Sequence, residues 1–189
     1  MLDGFLQHLA KSRKGGYVVW AVPFADIDGV AEGAYGKDRY PYDLNRAWSL
    51  PAMRHEVHLI QQDMRRWASR CRPILALDLH APGGCEHAGV YAFAGDEAEG
   101  PAAVEETKWC NVLQNELQAE FAAAEFRKTA AYASRWATPR FRDFAGKELG
   151  LPALTLETPY ALVNNAVLTQ KSYREIGRRL ALGIFRRNG

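Results

Sequence analysis

Two apolar runs of this chain close on ionisable side chains. PILALDLH (Pro73 to His80) ends in an imidazole, and PALTLE (Pro152 to Glu157) ends in a carboxylate. A third segment, YPYDLNRAW (Tyr40 to Trp48), sets Asn45 and Arg46 between aromatic residues. Taken together these residue types make up a metal ligand, a general acid/base and an anion clamp. An imidazole coordinates metals, a carboxylate moves protons, and a guanidinium offers a permanently charged planar fork that matches a carboxylate with two hydrogen bonds. Each also has a plainer role: His80 as a hydrogen-bonded strand-end residue, Glu157 as a cap on a neighbouring helix, and Arg46 paired with Asp43 or stacked on Trp48. Asp78 and His80 are two positions apart, so an extended strand turns both to one face, where the carboxylate could orient the imidazole.

The intervening sequence supplies elements that could carry these groups. MLDGFLQHLAKSRKG sets Leu2, Phe5, Leu6 and Leu9 at helical spacing. YVVWAV (Tyr17 to Val22) is β-branched and aromatic and predicts a buried strand, and the turn-rich stretch from Asp26 to Trp48 predicts a long functional loop. Met53, Val57, Ile60, Met64 and Trp67 mark a helix from Pro51 to about Arg70, and the runs ending in His80 and Glu157 predict two more strands. AGVYAF (Ala88 to Phe93) suggests another strand, followed by a helix carrying Val104, Trp109, Val112, Leu113, Leu117 and Phe121. Thr138-Pro139 reads as the N-cap and first residue of a short helix that stops before Gly150, and a last helix from about Ser172 turns Tyr173, Ile176, Leu180 and Ile184 inward. Strands alternating with helices predict an α/β/α sandwich on a mixed, largely parallel sheet. Strand ends are where such sheets gather their sites.

Composition narrows the function classes. With 189 residues and 48% hydrophobic content, one domain with a sizeable core is expected across 1–189. Lys and Arg total 24 against 22 Asp and Glu, and a formal charge of +2 argues for neither a nucleic-acid nor a membrane-surface partner. Arg178, Arg179, Arg186 and Arg187 suit the solvated face and end of a C-terminal helix. Cys71, Cys85 and Cys110 lack CxxC spacing and are odd in number, which points to a reducing, cytoplasmic setting instead of a disulfide scaffold or structural zinc.

The order DLNRAW, LDLHAPGG, LTLE resembles the M14-type zinc carboxypeptidases, especially their cytosolic carboxypeptidase-like and bacterial branches, from about Tyr17 to Glu157. That resemblance implies a Zn²⁺ enzyme that removes the C-terminal amino acid of a peptide or protein. It assigns His80 as a zinc ligand and Glu157 as the carboxylate that activates the zinc-bound water and then passes its proton to the leaving amine. It also assigns Asn45 and Arg46 as the pair at the substrate's terminal carboxylate. For the family's carbonyl-polarising arginine the nearby candidates are Lys37 and Arg39, with Gly36-Lys37 resembling the bacterial branch; Arg142 falls near its specificity pocket, which would favour an acidic side chain such as glutamate, its plainer role being a surface arginine on an exposed helix. For the family's mobile tyrosine, Tyr132 is the nearest candidate, although Arg135 fits the spacing better.

The family's early His-x-x-Glu zinc motif is absent: none of His8, His55, His58, His80 and His87 has Glu three positions on. His55 and His58, in HEVHLIQQ, read as helix-surface residues. The chain is therefore expected to be N-terminally incomplete, with Met1 internal to a longer protein and two zinc ligands upstream. On that expectation it is inactive alone, since a single imidazole is no zinc site. Two other functions fit the same motifs: an N-acyl amino-acid deacylase of the aspartoacylase type, and a non-catalytic domain that binds carboxylates.

Overall fold

The computed structural model describes residues 1–12, 17–36, 41, 43–129 and 137–187. In chain order its main elements are α1 (Leu2–Lys11), α2 (Ile27–Ala31), α3 (His55–Arg70), β1 (Ala76–His80), β2 (Val90–Phe93), α4 (Pro101–Phe121), β3 (Ala122–Lys128), α5 (Phe141–Leu149), β4 (Ala153–Glu157), β5 (Leu162–Val163), β6 (Ala166–Val167) and α6 (Gln170–Arg187). One sheet has the order β1-β4-β2-β3, and β5 and β6 form a separate antiparallel pair. Strand β2 is parallel to β3 and antiparallel to β4. Along β1 and β4, Ala76 N–H donates to Pro152 C=O at 2.9 Å and Thr158 N–H to His80 C=O at 3.0 Å. These bonds advance together along both chains, so this pair is parallel as well. The fold is mixed α/β with a mostly parallel sheet, as the alternating pattern predicts.

Three of the four expected strands are in the sheet. The fourth, Tyr17 to Val22, is not a strand: Val18 is 71% exposed, and Phe24 just beyond it is 60% exposed. β-branched side chains suit a pleated, half-buried surface, but a strand also needs a neighbour to take its backbone bonds, and no strand among the described residues pairs with this segment. Conversely, β3 is alanine-rich and carries no β-branched signal. The β3 backbone passes close to Gly89 (φ +115°), where a Cβ would lie 2.6 Å from Ala123 N, so position 89 requires glycine.

Contacts divide the chain into two compact units. One comprises Met1–Val19, Leu79–Ala130 and Leu154–Gly189, and the other comprises Trp20–Asp78 and Ala131–Ala153. In the first, Ile176, Leu180 and Ile184 of α6 and Leu113 and Leu117 of α4 are buried, in keeping with their spacing. The α6 arginines are not simply solvated: Arg179, Arg186 and Arg187 pair with Glu120, Glu116 and Glu105 of α4. Helices α1 and α6 approach so closely that a Cβ on Gly4 would meet Arg174 O at 2.0 Å, and one on Gly177 would meet Met1 O at 1.9 Å.

The second unit is built around Ala47, Trp48, Val57, Met64, Phe144, Ala145, Leu151 and Ala153. His55 and His58 are exposed on α3, as expected of helix-surface residues. Helix α5 starts at Phe141 with Arg140 as its N-cap, two residues later than the Thr138-Pro139 signal suggests, because Asp143 reaches back to the Arg140 backbone N–H at 2.9 Å. It ends where expected, with Gly150 in the left-handed conformation (φ 60°).

Candidate active-site residues

His80 and Glu157 come together at the ends of two adjacent strands. In a parallel pair, the bond from Thr158 N–H to His80 C=O is the one made when His80 and Glu157 lie side by side. On the other side of β4, Glu157 is opposite Tyr91 of β2. His80, Glu157 and Tyr91 therefore form a row across the sheet on one face. All five β4 residues are buried, and Glu157 is only 6% exposed. Tyr91 is also buried and carries the Lys128 ammonium over its ring at 3.7 Å. Nothing in the AGVYAF pattern singled Tyr91 out, since its place beside Glu157 arises from antiparallel pairing between distant segments. Cavity volume does not mark this row: a shallow cavity of about 560 Å³ lies elsewhere, lined by Ala68–Pro73 and Leu149–Leu151.

Within the other unit, Leu44–Arg46 form a single 3-10 turn, opened by Asp43, whose Oδ1 accepts from Asn45 N–H at 2.8 Å. Asn45 is a junction. Its Nδ2 donates to Asp78 Oδ2 at 3.1 Å, and its Oδ1 accepts the Phe141 backbone N–H at 3.0 Å, capping the start of α5 from nearly a hundred residues away. The Arg46 guanidinium folds back, Nη1 donating to Asn45 C=O at 3.0 Å, and the residue is 7% exposed. Trp48 anchors the turn by edge contact with Phe141 and tilted contact with Phe144, at ring separations of 5.1 and 5.6 Å. For a guanidinium as buried as this one, a carboxylate partner counts for more than it does in water. The Asp78 carboxylate accepts from Asn45, a partner no local spacing could reveal.

Arg142 is 8% exposed on α5, so it is not a surface arginine on a solvated helix. Next to it, Asp143 takes a two-pronged bond from Arg140, Nε to Oδ2 at 2.9 Å and Nη2 to Oδ1 at 3.1 Å. Burial alone would raise the Asp143 pKa; the Arg140 side-chain and backbone bonds, with the charges of Arg140 and Arg142, outweigh it and hold the carboxyl below its usual value. Lys37, Arg39, Tyr132 and Arg135 lie outside the described residues.

For zinc, His80 supplies one suitable donor. Among the described residues no group of three or more His, Cys, Asp or Glu side chains converges to hold a metal ion. A protein zinc site needs three or four such donors at about 2.0–2.3 Å. The donor set of the described residues does not fit a resident zinc ion by itself.

No family model and no curated protein matches the sequence. Solved structures do. A metallo-carboxypeptidase from Pseudomonas aeruginosa in complex with (2-guanidinoethylmercapto)succinic acid superposes with a TM-score of 0.68 at 20% identity, covering 98% of this chain and 52% of that one. A metallo-carboxypeptidase from Burkholderia cenocepacia gives 0.58 at 19% identity, covering 86% and 43%. The succinylglutamate desuccinylase of Chromobacterium violaceum gives 0.54 at 18% identity, covering 85% and 48%. At these identities the likeness shows a shared fold. The chain spans about half the length of the structures it matches.

Proposed function

We propose that this chain carries the proton-transfer and carboxylate-recognition residues of a zinc-dependent metallocarboxypeptidase, which removes a C-terminal amino acid from a peptide or protein. The observation that carries the reading is the row at the end of β4, where the buried Glu157 lies beside His80. In this reading Glu157 takes the proton of the attacking water and delivers it to the departing amine, a role that needs a carboxylate fixed next to the reacting centre. Arg46 receives the terminal carboxylate with its fork, Asn45 and Lys37 assist, and the buried charge of Arg142 favours an acidic terminal side chain. His80 would be one donor to such a zinc ion, and the described residues alone do not complete its site. The three free cysteines, two of them exposed, suit the reducing interior of a cell.

A second reading, an N-acyl amino-acid deacylase of the aspartoacylase type, draws support from the similarity to succinylglutamate desuccinylase. A carboxylate clamp serves either substrate. The test is a hydrolysis assay, with zinc supplied, on the chain and on any longer natural polypeptide that contains it. Peptides with free C-termini are compared with C-terminally amidated peptides and with N-acyl amino acids. The expected result is release of a terminal, preferably acidic, amino acid from free peptides only, with Glu157→Gln slowing turnover about 100-fold or more at equal zinc content. Wild-type turnover in Glu157→Gln would overturn the assignment. Activity confined to N-acyl amino acids would select the deacylase, and carboxylate binding without any hydrolysis would leave a non-catalytic binding domain.

A further inference from the structure

We infer that Asp78 is a positioning residue for the carboxylate clamp, acting on Arg46 through Asn45; this rests on the reading of Arg46 as the substrate's carboxylate fork. The Arg46 guanidinium has its bearings in the backbone of the 43–46 turn: Nη1 donates to Asn45 C=O at 3.0 Å, and Arg46 N–H donates to Asp43 C=O at 2.8 Å. Such a short turn has no ladder of its own to hold it. Beside the Asp43 side-chain bond and the Trp48 contacts, it is tied down at the two ends of one side-chain amide. Asn45 Oδ1 is held by the α5 backbone at 3.0 Å, and Asn45 Nδ2 is held by Asp78 Oδ2 at 3.1 Å.

The two ends differ in how replaceable they are. The bond from Phe141 comes from a helix-start N–H, which is fixed whatever the side chain. The bond to Asp78 requires an acceptor on β1, and a carboxylate receiving an amide N–H is stronger than a neutral acceptor. It also fixes which way round the amide lies, because a flipped Asn45 would turn its oxygen towards a carboxylate and its NH₂ towards an N–H donor. Asp78 thus selects one orientation of Asn45, and with it one placement of the carbonyl that steadies the Arg46 fork. A fork that must meet a planar carboxylate with both prongs is sensitive to misplacement of well under 1 Å.

The test uses the full 189-residue chain, succinate as the probe and calorimetric titration as the readout, with thermal melts run in parallel. Arg46→Ala should abolish binding. Asp78→Ala should weaken succinate binding about tenfold, in line with losing a charge-assisted bond. Asn45→Asp, which sets two carboxylates against each other, should weaken it at least as much. Adding Asp78→Asn to Asn45→Asp restores one donor and one acceptor across the same gap with almost no change in volume, and should bind succinate at least about threefold more tightly than Asn45→Asp alone. That rescue keeps the outcome decisive even if Asp78→Ala folds poorly.

If Asp78→Ala folds and leaves the affinity unchanged, or if the exchanged pair binds no better than Asn45→Asp, Asp78 does not position the fork, and the clamp reading survives on the Arg46→Ala result. If loss of affinity merely follows loss of melting temperature across the variants, the role is structural and the inference fails. If wild type does not bind succinate, or Arg46→Ala binds it normally, the clamp reading itself fails and takes this inference with it.

Discussion

Replacing Gly177 with Ala tests the tight crossing of α1 and α6. A Cβ at Gly177 would sit 1.9 Å from Met1 O and 2.9 Å from both Met1 C and Phe5 N, all backbone atoms of the α1 segment. An ordinary carbon–oxygen contact is well over 3 Å, so α1 has to move by more than about 1 Å, and no side-chain rotation can relieve the clash. Overpacking of this kind costs about 1–3 kcal/mol. Two terms oppose it: alanine is a better helix former than glycine by about 1 kcal/mol, and α1 can move outward as a body. The outward movement sacrifices the Asp3–Arg174 ion pair at 2.6 Å and loosens Phe5 and Tyr17 from the Phe185 ring, now 6.4 and 4.7 Å away. The net expectation is a loss of about 1–2 kcal/mol, or about 2–8 °C in melting temperature for a chain of this size. Gly4→Ala, whose Cβ would lie 2.0 Å from Arg174 O, strikes the same crossing from the other helix and should cost a similar amount. Once one has pushed the helices apart the second meets less resistance, so the double variant should cost clearly less than the sum. Circular dichroism melts and amide exchange of α1 give the answer. Unchanged melting with full protection of the α1 amides in both single variants would refute the argument.

Other expectations can be checked with equally simple measurements. Asp143 is held below its usual pKa, so it stabilises the fold above about pH 4 and that contribution fades as pH falls through the depressed value; Asp143→Asn should lower the urea midpoint at pH 7, by an amount that shrinks as the pH is lowered into the acid range. Glu175, held down to about 2 by Arg178 and Arg179, should keep its charge at pH 3.5, visible as an unprotonated carboxyl carbon shift in NMR. Glu106→Ala strips the buried Gly95 N–H of its 2.6 Å acceptor and should cost about 1–3 kcal/mol by urea titration. A thiol reagent should label exposed Cys71 and Cys85 in the native protein and reach buried Cys110 only in denaturant.

Local pattern recovered what local forces determine. Helices α3, α4 and α6 showed in three- and four-residue spacing because each packs one face, and β2 and β4 showed as short apolar runs because their side chains are largely buried, as did the only partly covered β1. Tyr17 to Val22 misled because β-branching reports a suitable surface, while pairing depends on a partner far along the chain. Strand β3 was silent because its run AAAEFRK has no β-branched residue and alanine carries little strand signal. For the candidate residues, type and strand-end position drew attention to His80, Glu157, Asn45 and Arg46. What could not be read was their company. Tyr91 meets Glu157 through antiparallel register, and Asp78 meets Asn45 across 33 residues. Both are long-range pairings with no short-range trace.

The division into two units has a consequence for how such a fold can be handled and inherited. The chain passes between them at 19/20, 78/79, 130/131 and 153/154, and two of those passages fall inside β1 and β4. Neither unit is a contiguous stretch of gene. A truncation library, a protease nick or a recombination breakpoint can split the polypeptide, but none of them can yield either unit as an intact autonomous piece. Asp78 and Leu79, consecutive on one strand, fall on opposite sides of that partition, so a crossover placed between them would part Asn45's acceptor from His80 in a single event.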